Sequence, residues 1–107
     1  MCYVSNVLYP QRDGATFKMK YYLDTHMPLV AKHWKPAGLQ KWEVVEMNLA
    51  PQGAKPAFNV AAILTWKDQA SCEAALALEG TQEIFGDIPK FSTEQPIFVG
   101  GTIVSRG

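Results

Sequence analysis

The chain has 107 residues, 48% of them hydrophobic and 19% charged, and its ten basic residues balance ten acidic ones. That length fits a single domain, taken here as residues 1–107, and can bury a core without disulfide or metal staples. The composition excludes fibrous and disordered classes, and the charge balance leaves no net field to draw the chain to nucleic acid or an anionic membrane.

In chain order, Cys2 to Tyr9 reads as a strand rich in Tyr and Val, ended by the turn chemistry of Pro10 to Gly14. Thr16 is placed to cap a helix that starts at Phe17. Leu23, Met27, Val30 and Trp34 then recur at helical spacing and predict a core stripe. Pro28 in mid-helix would lose the bond back to Asp24 and clash there, so a break or kink is expected around Thr25 to Pro28, with a second segment running to about Trp34. Pro36 to Gly38 stops the helix. Leu39 to Leu49 is the next strand, Ala50 to Pro56 a loop, and Phe58 to Trp66 the third strand. Asp68 is placed to cap a helix from Gln69 to about Glu79, with Gly80 ending it. A short helix around Gln82 to Phe85 is plausible, and Ile97 to Val104 is the last strand. Gly100-Gly101 within it suggests a bulge or a close backbone approach.

The order β-α-β-β-α-β is the ferredoxin-like plan: an α+β fold with a four-stranded antiparallel sheet and both helices on one face. In the third strand Phe58, Val60, Ala62, Leu64 and Trp66 share one face, while Ala61 and Ile63 make the other face fairly apolar too. In the last strand Ile97, Val99 and Ile103 oppose Phe98 and Val104. A sheet with one face in water would alternate more cleanly. With helices on one face, a second copy of the chain is the simplest cover for the other, so a homodimer is expected.

Cys2 and Cys72 form neither a CxxC motif nor a disulfide framework, and a core thiol is the expected state of Cys72. The first residues lack a basic stretch followed by an apolar one, and no run approaches a membrane span, so a cytoplasmic setting is expected. Lys32, Lys35 and Lys41 cluster around His33, which reads as a solvated helix end. No phosphate loop, dinucleotide fingerprint, nucleophile elbow or HExxH is present, so no cofactor is expected. His26 and His33, six residues apart without a nearby carboxylate or thiol, do not make a metal signature.

His26 stands out because it lies where the first helix is interrupted. Helical phase puts Tyr22, His26, Leu29 and His33 on one side, beside the core stripe. An imidazole exchanges protons near neutral pH, and a phenol can hold a carbonyl oxygen. The alternative is a structural histidine bonded to backbone freed by Pro28. Asp24 could orient His26 only if the chain kinks between them. The aromatics, Tyr9 and Phe91 among them, are most simply core, and several could also line a pocket for a flat apolar ligand.

The run Val7-Leu8-Tyr9-Pro10, then Phe17, Tyr21-Tyr22-Leu23-Asp24-Thr25-His26-Met27-Pro28-Leu29-Val30 and Gly38-Leu39, followed by Asp87-Ile88-Pro89-Lys90-Phe91 and Gln95-Pro96, resembles the EthD family over essentially the whole chain. Lys90 departs from the usual Asn. The resemblance implies a dimeric α+β barrel in which two ferredoxin-like sheets face each other. It also implies a pocket between sheet and helices into which His26 points. Related barrels include muconolactone isomerases, polyketide cyclases and cofactor-free monooxygenases. The expected site therefore has His26 as catalytic acid or base, with Tyr22, Phe17, Trp34, Trp66 and Phe85 binding a small apolar or aromatic ligand. The leading expectation is a cofactor-independent isomerase, cyclase or lyase acting on a small carbonyl or lactone compound in catabolism. The alternatives are a non-catalytic carrier or auxiliary protein of a catabolic pathway, as in ether degradation, and a haem- or quinol-using oxygenase. Fold analogy does not choose among them.

Overall fold

A computed structural model describes residues 2–107. Its elements are β1 (Tyr3–Pro10), α1 (Met19–Tyr21), a π-helical turn (Tyr22–His26), α2 (Met27–Trp34), β2 (Leu39–Glu46), a 3-10 turn (Pro51–Gly53), β3 (Phe58–Trp66), α3 (Gln69–Leu76), α4 (Thr81–Asp87), a second 3-10 turn (Ile88–Lys90) and β4 (Ile97–Thr102). The strands form one sheet in the order β2-β3-β1-β4, and every pairing is antiparallel. This is the α+β, ferredoxin-like plan expected from the sequence.

Alternation along the strands decides which side chains meet the helices. Ser5, Val7 and Tyr9 of β1 lie opposite Leu64, Ala62 and Val60 of β3, and these residues join Met27, Val30 and Trp34 in the core. Trp66 is fully buried, and its indole N–H donates to Ser5 Oγ at 2.9 Å, which pairs these two polar groups within the core. The opposite face carries Val4, Leu8, Ala61, Ile63, Ile97 and Val99, and Ile97 and Val99 remain about half exposed.

The first helix departs from expectation in an instructive way. The chain does not break before Pro28. Instead the Met27 N–H reaches back five residues to the Tyr22 carbonyl, and the helix runs on through α2. Pro28 has no N–H to give, and its ring would press on the Asp24 carbonyl of an α-helix. One widened turn absorbs both problems. The same turn moves Leu23 out of the expected core stripe, leaving it 42% exposed, and buries Tyr22 and His26 instead.

Other boundaries shift for local reasons. Thr16 does not cap a helix: its N–H donates to Thr93 Oγ1, and Phe17 pairs with Ser92 as an isolated bridge. The helix begins only at Met19. Asp68 does cap α3, accepting from the Ser71 N–H at 2.8 Å. However, α3 ends at Leu76, and Gly80, with φ of −62°, leads into α4 rather than terminating a helix. What Gly80 supplies is room, because a Cβ there would lie 2.3 Å from His33 Nδ1. The last strand stops at Thr102, short of Val104. Gly100 is a close approach rather than a bulge: β1 and β4 pair without a register shift, and a Cβ on Gly100 would strike the Tyr3 ring.

Gly38 is the glycine the fold most depends on. Its φ is +122°, and a Cβ would sit 2.6 Å from Ser71 Cβ, inside the cap of α3. Gly38→Ala is expected to cost about 2 kcal/mol or more, from the left-handed backbone and overpacking together. A urea titration should show this as a lower midpoint with unchanged slope.

Candidate functional site

The π-helical turn builds the site. Tyr22 and His26, four residues apart, stack with ring centroids 5.3 Å apart and planes 16° from parallel. Phe91 packs against the imidazole at 4.5 Å, and Phe17, Tyr9 and Phe91 pack edge-on to one another beside Tyr22. His26 is only 3% exposed. Each of these aromatic contacts contributes about 0.5–1.5 kcal/mol beyond the area it buries, so the imidazole is held in one orientation.

His26 does not bond to backbone freed by Pro28. Its Nδ1 lies 3.0 Å from Oδ2 of Asp87, the last residue of α4, 61 residues further along the chain. The other carboxylate oxygen accepts from the Tyr21 hydroxyl at 2.7 Å and lies 3.8 Å from Lys90 Nζ. Burial pushes the imidazole below its ordinary pKa, and the opposing pull of Asp87 does not overcome it. Burial also pushes the Asp87 carboxyl up. Here the hydrogen bonds from Tyr21 and His26, with the charges of His26 and Lys90, win and leave it below the usual carboxylate range. The pair at neutral pH is therefore a neutral imidazole donating Nδ1–H to an ionised carboxylate.

That tautomer leaves a lone pair on Nε2. Among the described residues no hydrogen bond uses Nε2, and no fully buried side-chain nitrogen or oxygen lacks a partner. Nε2 is therefore not fully buried, and its ring lines a cavity. This cavity lies between sheet and helices and is walled by Val7, Val30, Leu64, Ile84 and Ile88, with Met27 and Ala62. Its inner volume is about 20 Å³. That inner space holds roughly one water. Tyr9 and Tyr22 also line it, and burial pushes both phenols well above their ordinary pKa, so both stay protonated.

Of the residues expected from sequence, the structure brings together His26, Tyr22, Trp34 and Phe85 around this cavity. Phe17 and Trp66 stand one layer behind it. Phe17 packs on Tyr22 at 4.9 Å, and Trp66 lies against Trp34 at 5.4 Å. Phe85 is 45% exposed and forms the outer wall. Asp24 is not the partner of His26; it faces solvent and holds Lys20 at 2.6 Å. Sequence reasoning missed Asp87 as a site residue, although it opens the Asp87-Ile88-Pro89-Lys90-Phe91 segment. His33 lies outside the cavity, 3.4 Å from Glu83. Cys72 is buried, and burial raises its thiol pKa, as suits a core residue. Lys32, Lys35 and Lys41 are exposed. Among the described residues no group of three or more His, Cys, Asp and Glu is placed to hold a metal ion, and no helix is long and apolar enough to cross a membrane.

No family model matches the sequence, and no curated protein does. Solved structures do. An EthD-like protein from Ralstonia eutropha JMP134 is 28% identical and superposes with a TM-score of 0.86, covering 99% of this chain and 95% of its own. An ethyl tert-butyl ether D (EthD) family protein from Bacillus halodurans C-125 is 21% identical with a TM-score of 0.75, covering 97% and 100%. A dimeric ferredoxin-like protein of unknown function from Jannaschia sp. CCS1 shares the fold at 15% identity and a TM-score of 0.64, covering 95% and 98%.

The charge state of the pair sets a pH dependence. The folded imidazole binds its proton less readily than the unfolded one, whose pKa is about 6.5. Stability is therefore complete above that value and falls as pH drops through the lower folded value. The depressed Asp87 carboxyl adds a loss in the same direction, at more acid pH. His26→Gln is expected to flatten the loss just below pH 6.5, read as Tm against pH. Nitrogen-detected NMR of the His26 ring should show Nδ1 protonated and Nε2 bare at neutral pH. In Asp87→Asn the midpoint should move lower still; a rise would overturn the pairing.

Proposed function

Because the chain is EthD-like along its whole length, we propose that it binds a small molecule in the His26 cavity and that His26 Nε2 moves a proton on it, without a cofactor. The reaction is an isomerisation, cyclisation or lyase-type step on a small carbonyl or lactone compound, as suits a catabolic pathway. The observation that carries this reading is the contact of Asp87 with Nδ1, which leaves Nε2 bare on a ring that lines an apolar cavity. In that setting a neutral imidazole is a general base, and proton transfer by such a group contributes about 10²–10⁴-fold in rate. Tyr22, kept protonated by burial, is the donor to the oxygen on which negative charge develops. Asp87 touches no ligand and acts as a positioning residue through His26.

The same cavity also suits a non-catalytic carrier, since it holds a single group that titrates near neutral pH. Conversion of a bound ligand separates the two readings.

We further propose that the working form is a homodimer. The sheet face bearing Val4, Leu8, Ile63, Ile97 and Val99 has no helix over it, and the Jannaschia relative with the same fold is dimeric. Light scattering behind size exclusion is expected to give about twice the 11.9 kDa chain mass; a monomer at micromolar concentration would remove this part of the reading. His26→Ala should leave the far-UV spectrum intact. It should lower turnover by about 100-fold or more and weaken ligand binding by about 1–3 kcal/mol. Unchanged turnover in that variant would return His26 to a packing role.

A further inference from the structure

The cavity wall has no lysine and no arginine. The polar side chains that line it are two tyrosines and one histidine, set among Val7, Val30, Leu64, Ile84 and Ile88. Behind the imidazole, 3.0 Å from Nδ1, lies a carboxylate. The lysine of this cluster, Lys90, is turned to that carboxylate at 3.8 Å and is itself on the surface. An anion entering the cavity would give up its hydration with no cation to replace it. It would also sit near a second negative charge in a low-dielectric setting. A compact neutral molecule meets neither cost and finds two partners: the Tyr22 hydroxyl for one oxygen and a lone pair for one acidic C–H.

We infer that the site takes an uncharged, enolisable lactone or ketone of about one ring, and rejects carboxylates, phosphates and nucleotide-linked thioesters. This inference rests on the reading of His26 as a base and adds the charge class of its substrate. On an unconjugated enol lactone the step balances without a redox partner. The C–H bond between carbonyl and alkene breaks, its proton goes to Nε2, and the electron pair delocalises to the carbonyl oxygen beside the Tyr22 hydroxyl. The same nitrogen then returns a proton to the far carbon of the alkene, which leaves a conjugated lactone. Since the inner space holds roughly one water, a ring enters only as the wall gives way, and the exposed Phe85 is the wall residue free to swing outward.

The test uses α-angelica lactone and its analogue bearing a carboxymethyl group in place of the methyl. Binding is read by tryptophan fluorescence, since Trp34 lines the cavity, and isomerisation by the absorbance of the conjugated product. The neutral lactone is expected to bind about a hundredfold or more tighter than the anion and to be isomerised with loss in His26→Ala. Phe85→Lys, on the half-exposed outer wall, should shift the ratio of anion to neutral-lactone affinity about tenfold or more toward the anion. If the wild type binds the anion as well as the neutral lactone, the charge inference falls while the His26 reading stands. If it binds neither, or if His26→Ala isomerises the lactone unimpaired, the His26 reading falls and takes this inference with it.

Discussion

Pro28 lacks an N–H and leaves no space for an α-helical carbonyl behind it, and the segment before it is wound around that constraint. The widened turn from Tyr22 to His26 lets the helix continue without a break. It also sets the phase of the whole first helical layer: Tyr22 and His26 turn inward, Leu23 turns outward, and Met27, Val30 and Trp34 still reach the sheet. A regular helix with the same sequence would bury a leucine in the stripe. The polar residue that defines the cavity is inside because a backbone irregularity puts it there.

Burying an imidazole is costly if it carries charge, and in this site the cost decides the chemistry. Desolvation outweighs the attraction of Asp87, so the ring stays neutral and the contact is a hydrogen bond to a carboxylate rather than an ion pair. The carboxylate remains charged because Tyr21 and Lys90 share it from the outside. A more exposed pair would balance the other way and make the histidine an acid. The aromatic packing of Tyr22 and Phe91 supplies both the desolvation and the rigidity that keep Nε2 aimed at one place.

Much of the fold was legible because its signals are local. β3 is a run apolar on both faces between turn residues, and its bounds, Phe58 to Trp66, are the same in sequence and structure. Asp68 followed by a helical pattern is an N-cap in both readings. Thr16 and Gly80 misled because the competing structure comes from far away in sequence: a bridge to Ser92 in one case, the ring of His33 in the other. The site was half legible. His26 was visible through its place beside Pro28, and Tyr22 through its spacing. Asp87 was not, since a carboxylate so distant in sequence carries no periodic signal, and the nearer Asp24 drew the attention. Phe17 and Trp66 illustrate the converse: composition marks an aromatic as apolar but not which of two layers it will occupy.

The 61 residues between His26 and Asp87 also constrain when the site comes into being. β1 carries both β3 and β4, so the sheet closes only when the last strand docks beside the first. Non-local pairing of this kind delays folding until most of the loop entropy has been spent. A growing chain that has made only its first three strands still lacks the Asp87 and Phe91 that meet His26. The carboxylate that fixes its tautomer and the ring that closes over it both arrive with the final third of the polypeptide. The proton affinity of one side chain is thus a readout of completed folding.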